Sequence, residues 1–152
     1  MLRFRYSNRC DRTYTFDPSR DIAILDEHRT ILPYRTTWLW GTFATIIEDG
    51  VIGANFADRP IVEGTDEESC LWTPGACEPL ADITFEPTSN DPLDPWIIKS
   101  ADGRLDVTFT PEDRKVLASI DYWQMVGTYT GTIAGIEIKD VRGVYESMRA
   151  RL

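Results

Sequence analysis

Four turn signals, Glu48-Asp49-Gly50, Pro74-Gly75, Asp102-Gly103 and Ala134-Gly135, fall between runs rich in β-branched and aromatic residues. That punctuation constrains the fold more than any other feature of the chain. Glycine at the second turn position supplies the positive φ that tight hairpins need, and the flanking residue types suit a pleated, half-buried surface. Residues 36–47 and 51–56 flank the first turn, and residues 71–72 and 83–85 bracket the second. Residues 96–99 and 105–109 flank Asp102-Gly103, the clearest hairpin in the chain, and residues 122–133 and 136–144 make the last one. Many short strands separated by turns point to an antiparallel barrel or sandwich.

Helical signals are few. Thr110-Pro111-Glu112-Asp113 reads as an N-cap followed by proline at the first helical position, which predicts a short helical turn over residues 112–117. Residues 145–152 are a second stretch that could coil helically, and Asp17-Pro18-Ser19-Arg20 opens a further turn. No internal repeat, low-complexity tract or linker interrupts the chain. The expectation is a single all-β domain over residues 1–152 with one or two short helical turns.

Alternation sorts the strand residues into faces. Trp38 and Trp40 share a face with Thr36 and Thr42, opposite Leu39, Phe43 and Ile47. Gly53 and Asn55 oppose Ile52, Ala54 and Phe56. Tyr122, Gln124, Val126, Thr128 and Thr130 oppose Trp123, Met125, Tyr129 and Ile133. Both faces are semi-apolar, and period alone does not say which lines the interior.

Charge removes several functional classes. The 152 residues carry a formal net charge of −9, with 42% hydrophobic and 27% charged residues. Such a chain is globular in composition, and it repels phosphate backbones and anionic membrane surfaces. The acidic group Glu63, Asp66, Glu67 and Glu68 reads as a solvated loop. The N-terminus is basic but no apolar run follows it, and residues 36–47 are too short to cross a bilayer. A cytoplasmic location is the default expectation.

The chain has three cysteines, an odd number. If Pro74-Gly75 is a two-residue turn, Cys77 lies opposite Trp72 and Cys70 opposite Pro79, so the thiols are offset and free thiols are expected. One histidine, no ligand spacing of cysteines and no acidic calcium loop leave no expected metal, and no cofactor is expected. His28 reads as a loop residue, and no nucleophile elbow is present. Gly127, Gly131 and Gly135 read as bending positions on strands, not as a phosphate cradle.

From about residue 26 onward the chain resembles the C-terminal half of the family known as domain of unknown function 2804. The pieces that carry the resemblance include Arg35-Thr-Thr-Trp38-Leu-Trp40, Gly53-Ala-Asn55-Phe56, Glu68-Ser-Cys-Leu-Trp72 and Pro95-Trp96-Ile-Ile-Lys-Ser. Gln124-Met-Val-Gly127-Thr-Tyr-Thr-Gly131 and Gly143-Val-Tyr-Glu146 follow in the same order. The resemblance implies a lipocalin-like, calycin-type β-barrel, distantly akin to hydratases of carotenoid type and lipocalin-like cyclases. Family members usually carry two such barrels, so a homodimer would have to rebuild any site between them. The sequence departs from the family at Glu68-Ser69, where Glu-Asn is usual, and at Asp26-Glu27-His28, where the histidine is displaced by one.

The chemistry expected of such a barrel is an acid set in an apolar pocket, where desolvation favours the neutral carboxyl and makes it a general acid. Glu68, near Trp72, is the candidate acid, with Gln124 and Asn55 to orient a carbonyl and Tyr122 or Tyr129 to donate a hydrogen bond. Trp38, Trp40, Asn55, Trp72, Trp96 and Tyr129 are the candidate ligand-binding residues. The plainer alternatives are a rim salt bridge of Glu68 with Arg35 and core packing for the tryptophans. Two functions follow: a cyclase, isomerase or hydratase acting on a polyene or polyketide-like compound, or a carrier of a small apolar molecule. A filled barrel would leave a structural role.

Overall fold

The computed structural model describes residues 2–4, 12–26, 34–58, 68–117 and 121–151. A short ladder pairs β1 (Leu2–Phe4) with β2 (Arg12–Tyr14). The remaining strands are β3 (Arg35–Ile47), β4 (Gly50–Asp58), β5 (Cys70–Thr73), β6 (Ala76–Pro79), β7 (Ile83–Pro87), β8 (Trp96–Ser100), β9 (Leu105–Leu117), β10 (Tyr122–Ile133) and β11 (Ile136–Arg151). They form one antiparallel sheet in the order β6-β5-β4-β3-β11-β10-β9-β8-β7. The sheet curls into a half-barrel, the lipocalin-like architecture expected, so that β4 touches β7 across the concave side.

The four turn signals fall between paired strands, with Glu48-Asp49 forming the first turn and Gly50 opening β4 opposite Ile47. Residues 83–85, expected to return from the Pro74-Gly75 turn, instead form part of β7 at the other edge of the sheet, paired with β8, because residues 76–79 supply the nearer return strand. Gly50, Gly75, Gly103 and Gly135 all adopt positive φ, the conformation that costs other residues most. Trp72 pairs with Cys77 and Cys70 with Pro79, the register expected of a Pro74-Gly75 turn. Asp17 closes the Pro18–Arg20 turn, accepting from the Ser19 amide at 3.0 Å.

Two helical expectations are overturned, and no helix occurs among the described residues. Residues 112–117 continue β9, paired with β10 from Asp113–Val126 to Leu117–Tyr122. Pro111 sits at a register shift opposite Gly127, where the ladder is already broken and a missing N–H costs least. Residues 145–151 extend β11 between β3 and β10. Their local composition tolerates a helix, but residues 145–148 are paired on both sides and 149–151 with β3, and tertiary pairing prevails.

The structure decides the faces. Phe43, Ile52, Ala54, Phe56, Phe109, Met125 and Tyr129 are wholly buried on the concave side. Seven rings meet there in a continuous chain: Phe43, Phe56, Phe85, Trp96, Phe109, Tyr129 and Tyr145. Phe43 stacks on Tyr129 at 4.6 Å and Trp96 lies 4.9 Å from Tyr145. The interior is therefore occupied by side chains, as in small barrels generally. Gly127 lets β9 and β10 approach, since a Cβ there would run into the Thr110 carbonyl and the Phe109 ring.

Where the sheet fails to close by ladder bonds, Arg104 bridges the gap. From the turn between β8 and β9 it donates to Asp102 at 2.8 Å and to Glu78 at 2.7 Å, and also to the Pro79 carbonyl on β6.

Candidate functional site

The face opposite the core carries the polar chemistry. Antiparallel register places cross-strand neighbours side by side, so one transverse row runs Trp38 (β3), Met148 (β11), Tyr122 (β10) and Leu117 (β9). The next row, two residues along each strand, runs Trp40, Glu146, Gln124 and Lys115. An apolar and aromatic row thus lies beside a polar one. Between them is a shallow groove of about 420 Å³, lined by Trp38, Lys115, Leu117, Tyr122, Gln124 and Met148.

Glu146 organises the polar row. Its Oε1 accepts from the Tyr122 hydroxyl at 2.6 Å and from the Gln124 amide at 2.7 Å. Bonds to an ionised acceptor are the strong, short class. Burial, and after it the hydrogen bond and negative charge of Glu146, raise the Tyr122 pKa well above the usual phenol value. The phenol is thereby kept as a proton donor. Neither Oε2 of Glu146 nor the Lys115 ammonium has a hydrogen-bond or ion-pair partner among the described residues.

A second polar chain braces the same face nearer the β6 edge. Trp40 Nε1 donates to Asn55 Oδ1 at 2.9 Å, and Asn55 Nδ2 donates to the Glu68 carbonyl at 3.0 Å. Asn55 therefore ties the segment before β5 to β4 and holds the Trp40 ring, which answers the cost of placing an amide within an apolar strand. Cys70 pairs with Asn55 across β4 and β5, and both Cys70 and Cys77 are free thiols. Burial, followed by the hydrogen bond and charge of Cys77, pushes the Cys70 thiol up to about 11.

Residues 7–152 match the model of domain of unknown function 2804. The chain belongs to that family. No curated protein and no solved structure matches it. In this family member, the residues expected to form a site divide between the two faces of the sheet. Trp38, Trp40, Asn55, Trp72, Tyr122 and Gln124 share the outer face, and only Trp38, Tyr122 and Gln124 line the groove. Trp72 lies two strands beyond Trp40, near the Pro74-Gly75 turn.

Trp96 and Tyr129 belong instead to the packed interior, where Tyr129 donates its hydroxyl to the Val144 carbonyl at 2.8 Å. Glu68 is exposed. It lacks the apolar enclosure a carboxylic general acid requires, and its backbone carbonyl accepts from Asn55 on this face. His28, Glu63, Asp66 and Glu67 lie outside the described residues.

The carboxylate that sequence reasoning missed is Glu146, along with Lys115, Leu117 and Met148. Glu146 stood within the Gly143-Val-Tyr-Glu146 piece, and strand alternation would have put it opposite Tyr145. Reading residues 145–152 as helical hid that alternation. Among the described residues no cluster of histidine, cysteine, aspartate and glutamate is placed to hold a metal, and no helix is long and apolar enough to cross a membrane.

Proposed function

We propose that this chain binds a small, largely apolar molecule on the outer face of the half-barrel. The molecule lies along Trp38, Met148, Tyr122 and Leu117, with its polar atoms read by Glu146 and Gln124. One observation carries the reading: two groove-lining donors, Tyr122 and Gln124, converge on one oxygen of Glu146 and hold the carboxylate in place beside an apolar row. Few, well-placed polar groups within a mainly apolar lining are the usual composition of a small-molecule site. The ring-filled interior turns attention from the lumen to this face.

A second reading, that the bound molecule is also transformed, draws on the Tyr122–Glu146 pair. A phenol hydrogen-bonded to a carboxylate sets a hydrogen-bond donor beside a candidate general base, the minimum for a cofactor-independent isomerase, cyclase or hydratase. On either reading the chain works in the cytoplasm, a compartment in which thiols such as Cys70 and Cys77 stay reduced.

The test is a titration of intrinsic tryptophan fluorescence with polyenes, medium-chain fatty acids and polyketide-like aromatics, with mass spectrometry of each ligand afterwards. Saturable quenching that weakens in Trp38→Phe is the expected result. A new product that disappears in Glu146→Gln favours the catalytic reading, and ligand returned unchanged favours carriage. Quenching unaffected by Trp38→Phe, or no quenching at all, refutes the groove.

A further inference from the structure

We infer that the ligand of this groove is bifunctional, with an anionic group at one end and an amine or hydroxyl donor at the other. The inference rests on the groove being a binding site and names the class of molecule it takes. Its basis is the polar row. Gln124 stands between Glu146 on one neighbouring strand and Lys115 on the other. Glu146 has one oxygen saturated by Tyr122 and Gln124 and the other without a partner among the described residues. Lys115 lines the groove and forms no ion pair with a described residue.

Four other basic side chains of the described residues are engaged. Lys99 pairs with Asp106 at 3.0 Å, Arg104 with Glu78 and Asp102, Arg142 with Glu112, and Arg114 stacks over Trp123 at 4.8 Å. Lys139, on another groove, is also exposed and forms no ion pair with a described residue; what distinguishes Lys115 is its place two strands from the Glu146 carboxylate, in the row beside the apolar one.

The geometry sets the spacing. Two strands apart in the sheet, the Lys115 and Glu146 positions are separated by about 10 Å, twice the interstrand distance. Gln124 spans the interval and, by bonding Glu146, keeps that carboxylate from turning toward Lys115. Trp38, Met148 and Leu117 border the interval with apolar surface. The complement is an unbranched or gently bent apolar chain of about six to eight carbons, acidic at the Lys115 end and carrying a donor at the Glu146 end. A molecule with the acid alone leaves the half-buried Glu146 without its contact, and one with the amine alone forgoes the contact with the exposed Lys115. Each mismatch loses one charge-assisted contact.

The experiment uses ω-aminooctanoic acid, octanoic acid and octylamine as probes, titrated calorimetrically into the full chain and into Lys115→Met and Glu146→Gln. The wild type is expected to bind the bifunctional probe about tenfold more tightly than either monofunctional one, the worth of one charge-assisted contact. Lys115→Met should abolish the preference over octylamine and keep that over octanoic acid, and Glu146→Gln the reverse. Equal binding of all three probes with competition at Trp38 would overturn the bifunctional ligand and leave the groove standing. If no probe binds and the fluorescence titration is also silent, the groove itself falls. If Lys115→Met and Glu146→Gln alter the three affinities alike, the two charges do not act at opposite ends, and the inference is refuted.

Discussion

Tyr129 and Tyr145 provide a paired test of the core, because two wholly buried tyrosines differ in one respect. Tyr129 donates to the Val144 carbonyl at 2.8 Å, whereas the Tyr145 hydroxyl is buried without a hydrogen-bond partner among the described residues. The Tyr145 ring is otherwise well placed, 4.9 Å from Trp96 and 5.6 Å from Phe109. Tyr145→Phe keeps those ring contacts and removes only the orphan hydroxyl. A buried polar group without a partner costs roughly 1–3 kcal/mol, so its removal should stabilise the protein by about 1–2 kcal/mol. In a chain of this size that raises Tm by about 3–6 °C.

Tyr129→Phe breaks a made bond and should destabilise by about 1 kcal/mol. Equilibrium urea unfolding of the wild type and both variants supplies the measurement, with an unchanged m-value showing that the unfolded reference is the same. Opposite signs are expected. A Tyr145→Phe variant less stable than wild type, or two variants shifted alike, would show that the orphan hydroxyl is not a liability and would refute the reasoning.

Three other outcomes are expected. Gly127→Ala drives a Cβ into the Thr110 carbonyl and the Phe109 ring, and should cost about 3 kcal/mol by urea unfolding. A loss under about 0.5 kcal/mol would show that β9 moves aside freely. The Ser100 hydroxyl, the Arg104 amide and the Arg104 side chain lower the Asp102 pKa from 3.8 to about 2. The stability it lends is therefore complete above the unfolded pKa and is lost as pH falls through the folded one. The acid slope of stability between pH 4 and 2 should be shallower in Asp102→Asn, and an identical slope would contradict the assignment. Cys70 titrates in the opposite sense, because its pKa is raised from 9.0 to about 11 and the folded state holds the proton longer. Its contribution should fade between pH 9 and 11, and thiolate absorbance should show one thiol surviving to the upper end of that window. All thiols titrating with a midpoint near 9 would overturn it.

The turns and the alternation were legible in the sequence because both are local. A glycine at positive φ after Asp49, Pro74, Asp102 or Ala134 needs no distant partner to make a hairpin. Strand period likewise sorts Trp38 and Trp40 from Leu39 and Phe43 before any pairing is known. Residues 112–117 and 145–151 were misread for the complementary reason. Their local signals, a proline after a threonine and a run of helix-tolerant residues, were weaker than the ladders that flank them on β10 and β3.

The candidate site was half legible. Trp38, Tyr122 and Gln124 were identifiable by type and by face, and Glu146 became visible only when β11 was seen to run beside both β3 and β10. Glu68 attracted attention through its nearness in sequence to Trp72, but proximity along a chain does not specify desolvation, and the residue is exposed.

What the sequence determined alone was an antiparallel all-β fold, the turns of its hairpins and the division of each strand into two faces. Those properties follow from backbone conformational preference and from the two-residue period of a strand, which act over a few neighbours. Only the tertiary structure decided which face is interior, because that depends on the direction in which nine strands curl and on which side offers the rings that pack. The same curl filled the lumen with Phe43, Tyr129, Tyr145 and Trp96 and left Glu146, Gln124 and Lys115 together on the outer face. That juxtaposition joins residues from three strands, and no local signal encodes it.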